Sequence, residues 1–126
     1  MKNIFLKYWL PLYLYAGIIF YLSSQPLALP KTQVPFFDKW LHVVEYTVFG
    51  MLAVRAFRHS SQKILIDNLK IMALLISIIY GISDEIHQAF VPGRDCNVFD
   101  LMADSIGSLI GVFTYGRYSP FQGSEL

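Results

Sequence analysis

Residues 71–88 read IMALLISIIYGISDEIHQ, and the fold turns on this stretch. From 71 to 83 there is no charge; Asp84, Glu85 and His87 then follow within four positions. As a helix, the uncharged part spans about 20 Å at ~1.5 Å per residue. A bilayer's hydrocarbon core is about 30 Å thick. A helix crossing a membrane here draws Asp84 and its neighbours into the bilayer edge. An ionised side chain costs about 2.5 to over 10 kcal/mol at the bilayer centre and less towards the interface. Such groups face the bundle interior, pair with one another and mark functional sites.

Working outward from this stretch, three further apolar runs approach the ~20 residues that a spanning helix needs. The four runs are about 5–22, 36–57, 71–90 and 98–115. Between them lie breaker-rich stretches: 23–35, opening Ser23-Ser24-Gln25-Pro26; 58–70; and Val91-Pro92-Gly93-Arg94. Composition agrees. Of 126 residues, 55% are hydrophobic and 15% charged, against about a quarter charged in ordinary soluble domains. The mean hydropathy is +0.46. A soluble domain of this size must cover much of its surface with polar groups, and a disordered chain is less apolar still. The net charge of +1 provides no field for nucleic acid. The single Cys96 excludes an intramolecular disulfide and a cysteine-rich metal site.

The expectation is one domain over 1–126: an all-α integral membrane bundle of four transmembrane helices, multi-pass in a bacterial cytoplasmic membrane. The first run, after Lys2 and Lys7, competes with a cleaved signal peptide. Its length and the poor cleavage site that follows favour a retained helix. Lys2 and Lys7, then Arg55, Arg58, Lys63 and Lys70, then Arg117 put both termini and the middle connection in the cytoplasm. Lys31, Lys39 and Arg94 fall outside.

That orientation gathers the unusual residues at the outer face. Asp38, His42 and Glu45 share one helical face, as do Tyr80, Asp84 and His87 or Gln88. Asp100, Asp104, Gly107 and Gly111 share another, whose glycine pair lets a neighbouring helix approach closely. Asn97 has the form of an N-cap for the last helix. Asp100 has a second reading as a charge at that helix's positive end. Lys39 is expected to form a solvated pair with Asp38, and His59 to lie on the surface. Arg94 is then the permanent cation nearest Asp84, Glu85, Asp100 and Asp104. So many acids with so few cations point to a functional site.

These residues carry a resemblance. Asp38-Lys39-x-x-His42-x-x-x-Tyr46-x-x-x-Gly50 resembles the first signature of the VanZ-like family. Asp84-Glu85-x-x-Gln88-x-Phe90-x-Pro92-x-Arg94, followed by Asp100, Gly107 and Gly111, resembles the second. The Ser-Ser-Gln-Pro at 23–26 fits the family's first outer loop. The resemblance implies about four membrane helices in the bacterial envelope and an association with low-level resistance to teicoplanin. One departure bears on the site: many members have Asn where this chain has Asp104. An acid there either shares a proton with a neighbour or adds a cation ligand.

Three functions follow as expectations. The first is a glycopeptide (teicoplanin) resistance or envelope-homeostasis factor. It would bind a drug, lipid or cell-wall precursor at the outer leaflet through Asp38, His42, Tyr46, Asp84, Gln88, Arg94, Asp100 and Asp104. Arg94 would grip a phosphate or carboxylate, with Trp40, Tyr46 and Phe90 as apolar contacts. The second is a membrane-embedded enzyme on a lipid-linked substrate. It would draw a general acid or base from Asp84, Glu85, His42 and His87, or a divalent cation held by His42, Glu45, Asp84 and Asp104. The third is a proton-coupled carrier subunit. No organic cofactor and no nucleic-acid partner is expected; the bilayer is the partner, and a homo-oligomer is compatible.

Overall fold

The computed structural model describes residues 3–25, 36–94 and 96–118, the last three as backbone. It is all-helical, with no strand among the described residues. Helix α1 begins with a π-helical stretch, Phe5–Trp9, and continues as Leu10–Ser23. Pro11 follows this wide turn, where it has no N–H to offer the preceding ladder. The other helices are α2 (Phe37–Arg58), α3 (Lys63–Asp67), α4 (Leu69–Ala89) and α5 (Val98–Tyr118).

The four long helices fall on the four expected runs. The polar connection expected over 58–70 contains an additional helix, α3, closed by a Lys63–Asp67 ion pair between residues one turn apart. Among the described residues, two helices are long and apolar enough to cross a membrane, Phe5–Ser23 and Val98–Tyr115. Helices α2 and α4 are as long but carry more charge within their length, Asp38, Lys39, Glu45, Arg55 and Arg58 on one and Lys70, Asp84 and Glu85 on the other. The rest of the first connection, 26–35 with Lys31, lies outside the described residues.

The closest packing is between α2 and α5, with α4 against both and α1 against α2 and α4. Gly107 and Gly111 are the cause. A Cβ on either would strike backbone of α2, the Val43 carbonyl in one case and the Thr47 carbonyl in the other. Contacts advance together along both helices, so α2 and α5 run parallel. Buried Tyr46, Phe49, Val54, Ala73 and Val112 fill the centre. Large apolar side chains such as Leu14, Ile18, Val44, Ile79, Ile106 and Phe113 are exposed along the outer faces.

The two ends differ chemically. At one, cations meet aromatic rings: Arg55 lies 4.8 Å from the Tyr8 ring, Lys70 5.5 Å from Phe113 and Arg58 5.8 Å from Tyr115. His59, expected on the surface, is half-buried and stacks on Tyr8 with centroids 3.7 Å apart. The carboxylates gather at the opposite end.

Candidate functional site

The carboxylate end is assembled by the first turns of α2 and α5, the last turns of α4, and the turn between α4 and α5. In that turn Val91 accepts from the Arg94 N–H at 3.1 Å. Pro92 and Gly93 (φ 83°) occupy its central positions, a type II arrangement whose third residue needs a positive φ. Arg94 is thereby returned towards the helices. The Asn97 Oδ1 accepts from the Phe99 N–H at 2.8 Å and caps α5 as the sequence suggests.

Lys39 departs from expectation. Its Nζ lies 2.6 Å from Asp38 Oδ2 and 2.6 Å from Asp100 Oδ1, so it bridges α2 and α5 rather than forming a solvated pair with Asp38 alone. Asp100 is therefore paired with Lys39, and Arg94 is not the permanent cation it relies on. The sequence signal was present but three-dimensional: Lys39 and Asp100 stand in the first turns of two parallel helices, at the same level.

One turn deeper, His42 Nδ1 is hydrogen-bonded to Asp104 Oδ1 at 2.7 Å, which leaves its Nε2 3.9 Å from Asp100 Oδ2. The Tyr46 hydroxyl donates to Asp84 Oδ2 at 3.3 Å, both residues being buried. Glu85 Oε2 accepts the Asn97 N–H at 3.1 Å, tying the end of α4 to the start of α5. Gly81 makes room on α4: a Cβ there would lie 3.3 Å from the Cβ of Asp104. Two buried oxygens, Glu85 Oε1 and Asp104 Oδ2, have no hydrogen-bond partner among the described residues, and neither does Arg94 Nε.

Of the expected site residues, Asp38, His42, Tyr46, Asp84, Gln88, Arg94, Asp100 and Asp104 converge, together with Glu85. His87 does not join them. It turns to α1, with Nε2 2.8 Å from Ser24 Oγ and its ring stacked on Phe20. Glu45 is half-buried a turn further along α2, where its backbone carbonyl takes the Tyr15 hydroxyl at 2.7 Å. Two trios have ligand atoms all within 4.8 Å of one another: His42, Glu85 and Asp100, and Asp84, Glu85 and Asp104. Glu85 occurs in both and Glu45 in neither.

The VanZ/LLP1 family pattern matches residues 3–118, nearly the whole chain. The chain belongs to the VanZ/LLP1 family. It matches none of the curated proteins and none of the solved structures. In this VanZ/LLP1 protein the signature residues sort into two structural roles. Gly50, Gly107 and Gly111 bring α2 and α5 together, while Asp38, Lys39, His42, Tyr46, Asp84, Glu85, Gln88, Arg94 and Asp100 form the polar end. A cavity of about 160 Å³ opens there, lined by Lys39, His42, Gln88, Arg94 and Asn97 among others. Lys39 also stands at the head of an apolar groove of about 640 Å³ between α2 and α5, lined by Trp40, Val43, Phe99, Met102 and Ile106.

Proposed function

We propose that this VanZ-like protein is a single-domain, multi-pass protein of the bacterial cytoplasmic membrane. In this reading α1, α2, α4 and α5 all span, both termini are cytoplasmic, and the carboxylate end faces outward. The apolar outer faces of all four helices support it, because exposed apolar surface on this scale is covered by lipid in a stable protein. Lys39 and His42 of α2 turn inward and pair with Asp100 and Asp104 of α5, and Asp84 and Glu85 of α4 are buried beside them, as intramembrane charges are.

At the outer leaflet the polar cavity binds an amphiphile with a phosphate-bearing headgroup, a lipid or lipid-linked cell-wall precursor, and through it serves envelope homeostasis and glycopeptide (teicoplanin) tolerance. One observation carries this: Arg94 lines the cavity with its buried Nε unpartnered. A guanidinium left free in this way suits a phosphate, which it engages through charge-assisted, often bidentate hydrogen bonds. The adjoining apolar groove, headed by Lys39, accommodates an acyl chain. Susceptibility in a glycopeptide-sensitive Gram-positive host tests the role, with wild type compared with Arg94→Lys, His42→Ala and Asp84→Asn at matched membrane levels. Wild type is expected to raise teicoplanin tolerance and the variants to lose it. No tolerance from correctly inserted wild type overturns the resistance role.

A second reading, an enzyme acting on the same amphiphile, is favoured by the His42–Asp104 pair. A buried carboxylate on Nδ1 orients the ring and leaves Nε2 near the cavity, the arrangement of a positioned general base. A change in membrane lipid composition on expression, lost in His42→Ala and Asp84→Asn, distinguishes this from binding alone.

A further inference from the structure

We propose that Asp84, Glu85 and Asp104 form a binding site for one hard divalent cation, Mg²⁺, Ca²⁺ or Mn²⁺, where α4 meets α5. The inference rests on the carboxylate geometry and is independent of which ligand fills the cavity.

The three residues are 6%, 2% and 0% exposed. Each offers an oxygen within 4.8 Å of the other two. A point therefore exists within about 2.8 Å of all three, close to the ~2.3–2.6 Å of calcium–oxygen bonds and a small contraction from the ~2.0–2.1 Å of magnesium.

Each carboxylate also accepts a hydrogen bond, Asp84 from the Ser23 hydroxyl as well as from Tyr46. Asn97 N–H fixes Glu85 Oε2, the Tyr46 hydroxyl fixes Asp84 Oδ2 and the His42 ring fixes Asp104 Oδ1. This is how outer-shell hydrogen bonds orient metal ligands. The remaining oxygens Glu85 Oε1 and Asp104 Oδ2 are buried and have no partner. Buried carboxylates left in that condition are costly.

Among the described residues the local cations do not meet the need. Lys39 is committed to Asp38 and Asp100, His42 to Asp104 through its Nδ1, and Arg94 lines the outer cavity. A dication placed among the three acids would take one oxygen from each and offset the charge of a buried cluster. An all-carboxylate set favours hard ions over zinc or copper. The overlapping trio of His42, Glu85 and Asp100 is the weaker candidate, because Lys39 already neutralises Asp100 and His42 adds no negative charge.

Mn²⁺ titration of the full chain in nanodiscs, followed by the electron paramagnetic resonance of free Mn²⁺, reads the site directly. One Mn²⁺ per chain with a Kd below about 1 mM is expected, displaced by Mg²⁺ or Ca²⁺. Glu85→Gln and Asp104→Asn should each weaken binding at least tenfold. Asp67→Asn, at the other end of the molecule, should leave it unchanged. Folded wild type that binds no Mn²⁺ up to several millimolar overturns the proposal, whether or not the variants fold. Binding that survives the double variant Glu85→Gln/Asp104→Asn overturns it as well. So does a wild type without metal response whose Asp104→Asn variant melts several degrees higher, the signature of carboxyls sharing a proton. These outcomes leave the headgroup reading standing, because it rests on Arg94 at the cavity and is read from Arg94→Lys.

Discussion

His42 Nδ1 and Asp104 Oδ1 lie 2.7 Å apart across the α2–α5 contact, with Asp104 wholly buried. Removing one member of a buried pair strands the other and costs about 3 kcal/mol or more. His42→Ala is therefore expected to destabilise the protein by about that amount. Asp104→Asn keeps a hydrogen bond and should cost less than about 1.5 kcal/mol. Unfolding in mixed detergent and SDS measures both; equal losses would remove the charge asymmetry of the pair.

The α2–α5 seam has no space for a side chain at Gly111, whose added Cβ would meet the Thr47 carbonyl. Gly111→Ala must push the helices apart, and a loss of about 2 kcal/mol or more is expected, with Gly111→Leu failing to assemble. Gly17 has nothing within 4 Å of an added Cβ. Gly17→Ala should leave the melting temperature level or raise it slightly, since alanine favours the helix by about 0.5–1 kcal/mol.

Much of this architecture can be read from the chain, and the reason is periodicity. Four long apolar runs set four long helices, and the spacing of Gly107 and Gly111 announces a close helix contact before any partner is known. The Asn97 cap is legible for the same reason, because it acts within one turn. What spacing cannot supply is level. Lys39 reaches Asp100 because α2 and α5 are parallel, a relation between residues 61 apart in sequence. Helical phase likewise leaves His87 and Gln88 as near equivalents. The structure divides them, with Gln88 at the cavity and His87 stacked on Phe20. Glu85 lies off the expected acidic face of α4, yet it joins both close trios through its tie to Asn97.

Asn97 links two elements through different groups: its side chain caps α5 and its backbone N–H holds Glu85. Asn97→Ala removes only the cap. A loss of about 1 kcal/mol is expected, with Mn²⁺ affinity retained, and Asn97→Asp should restore the stability. Thermal unfolding alongside Mn²⁺ titration separates the two contributions.

Cys96 is exposed in the connection between α4 and α5, and no other cysteine competes with it. If the carboxylate end faces outward, a membrane-impermeant maleimide should label it in intact cells. In a Cys96→Ser background, Ser61→Cys at the opposite end should be labelled only after permeabilisation. The reverse pattern would invert the orientation and with it the outer-leaflet site.

The parallel α2–α5 seam also sets a timetable. Lys39 and His42 leave the ribosome about 60 residues before Asp100 and Asp104, a delay of about 3–12 s at ~5–20 residues per second. Through that interval α2 has its polar face but not the helix that matches it. In the four-span reading proposed above, a nascent chain ending before α5 has no partner in lipid for that face. In that reading α5 completes the polar face of α2, so insertion of α2 into the bilayer depends on the synthesis of α5.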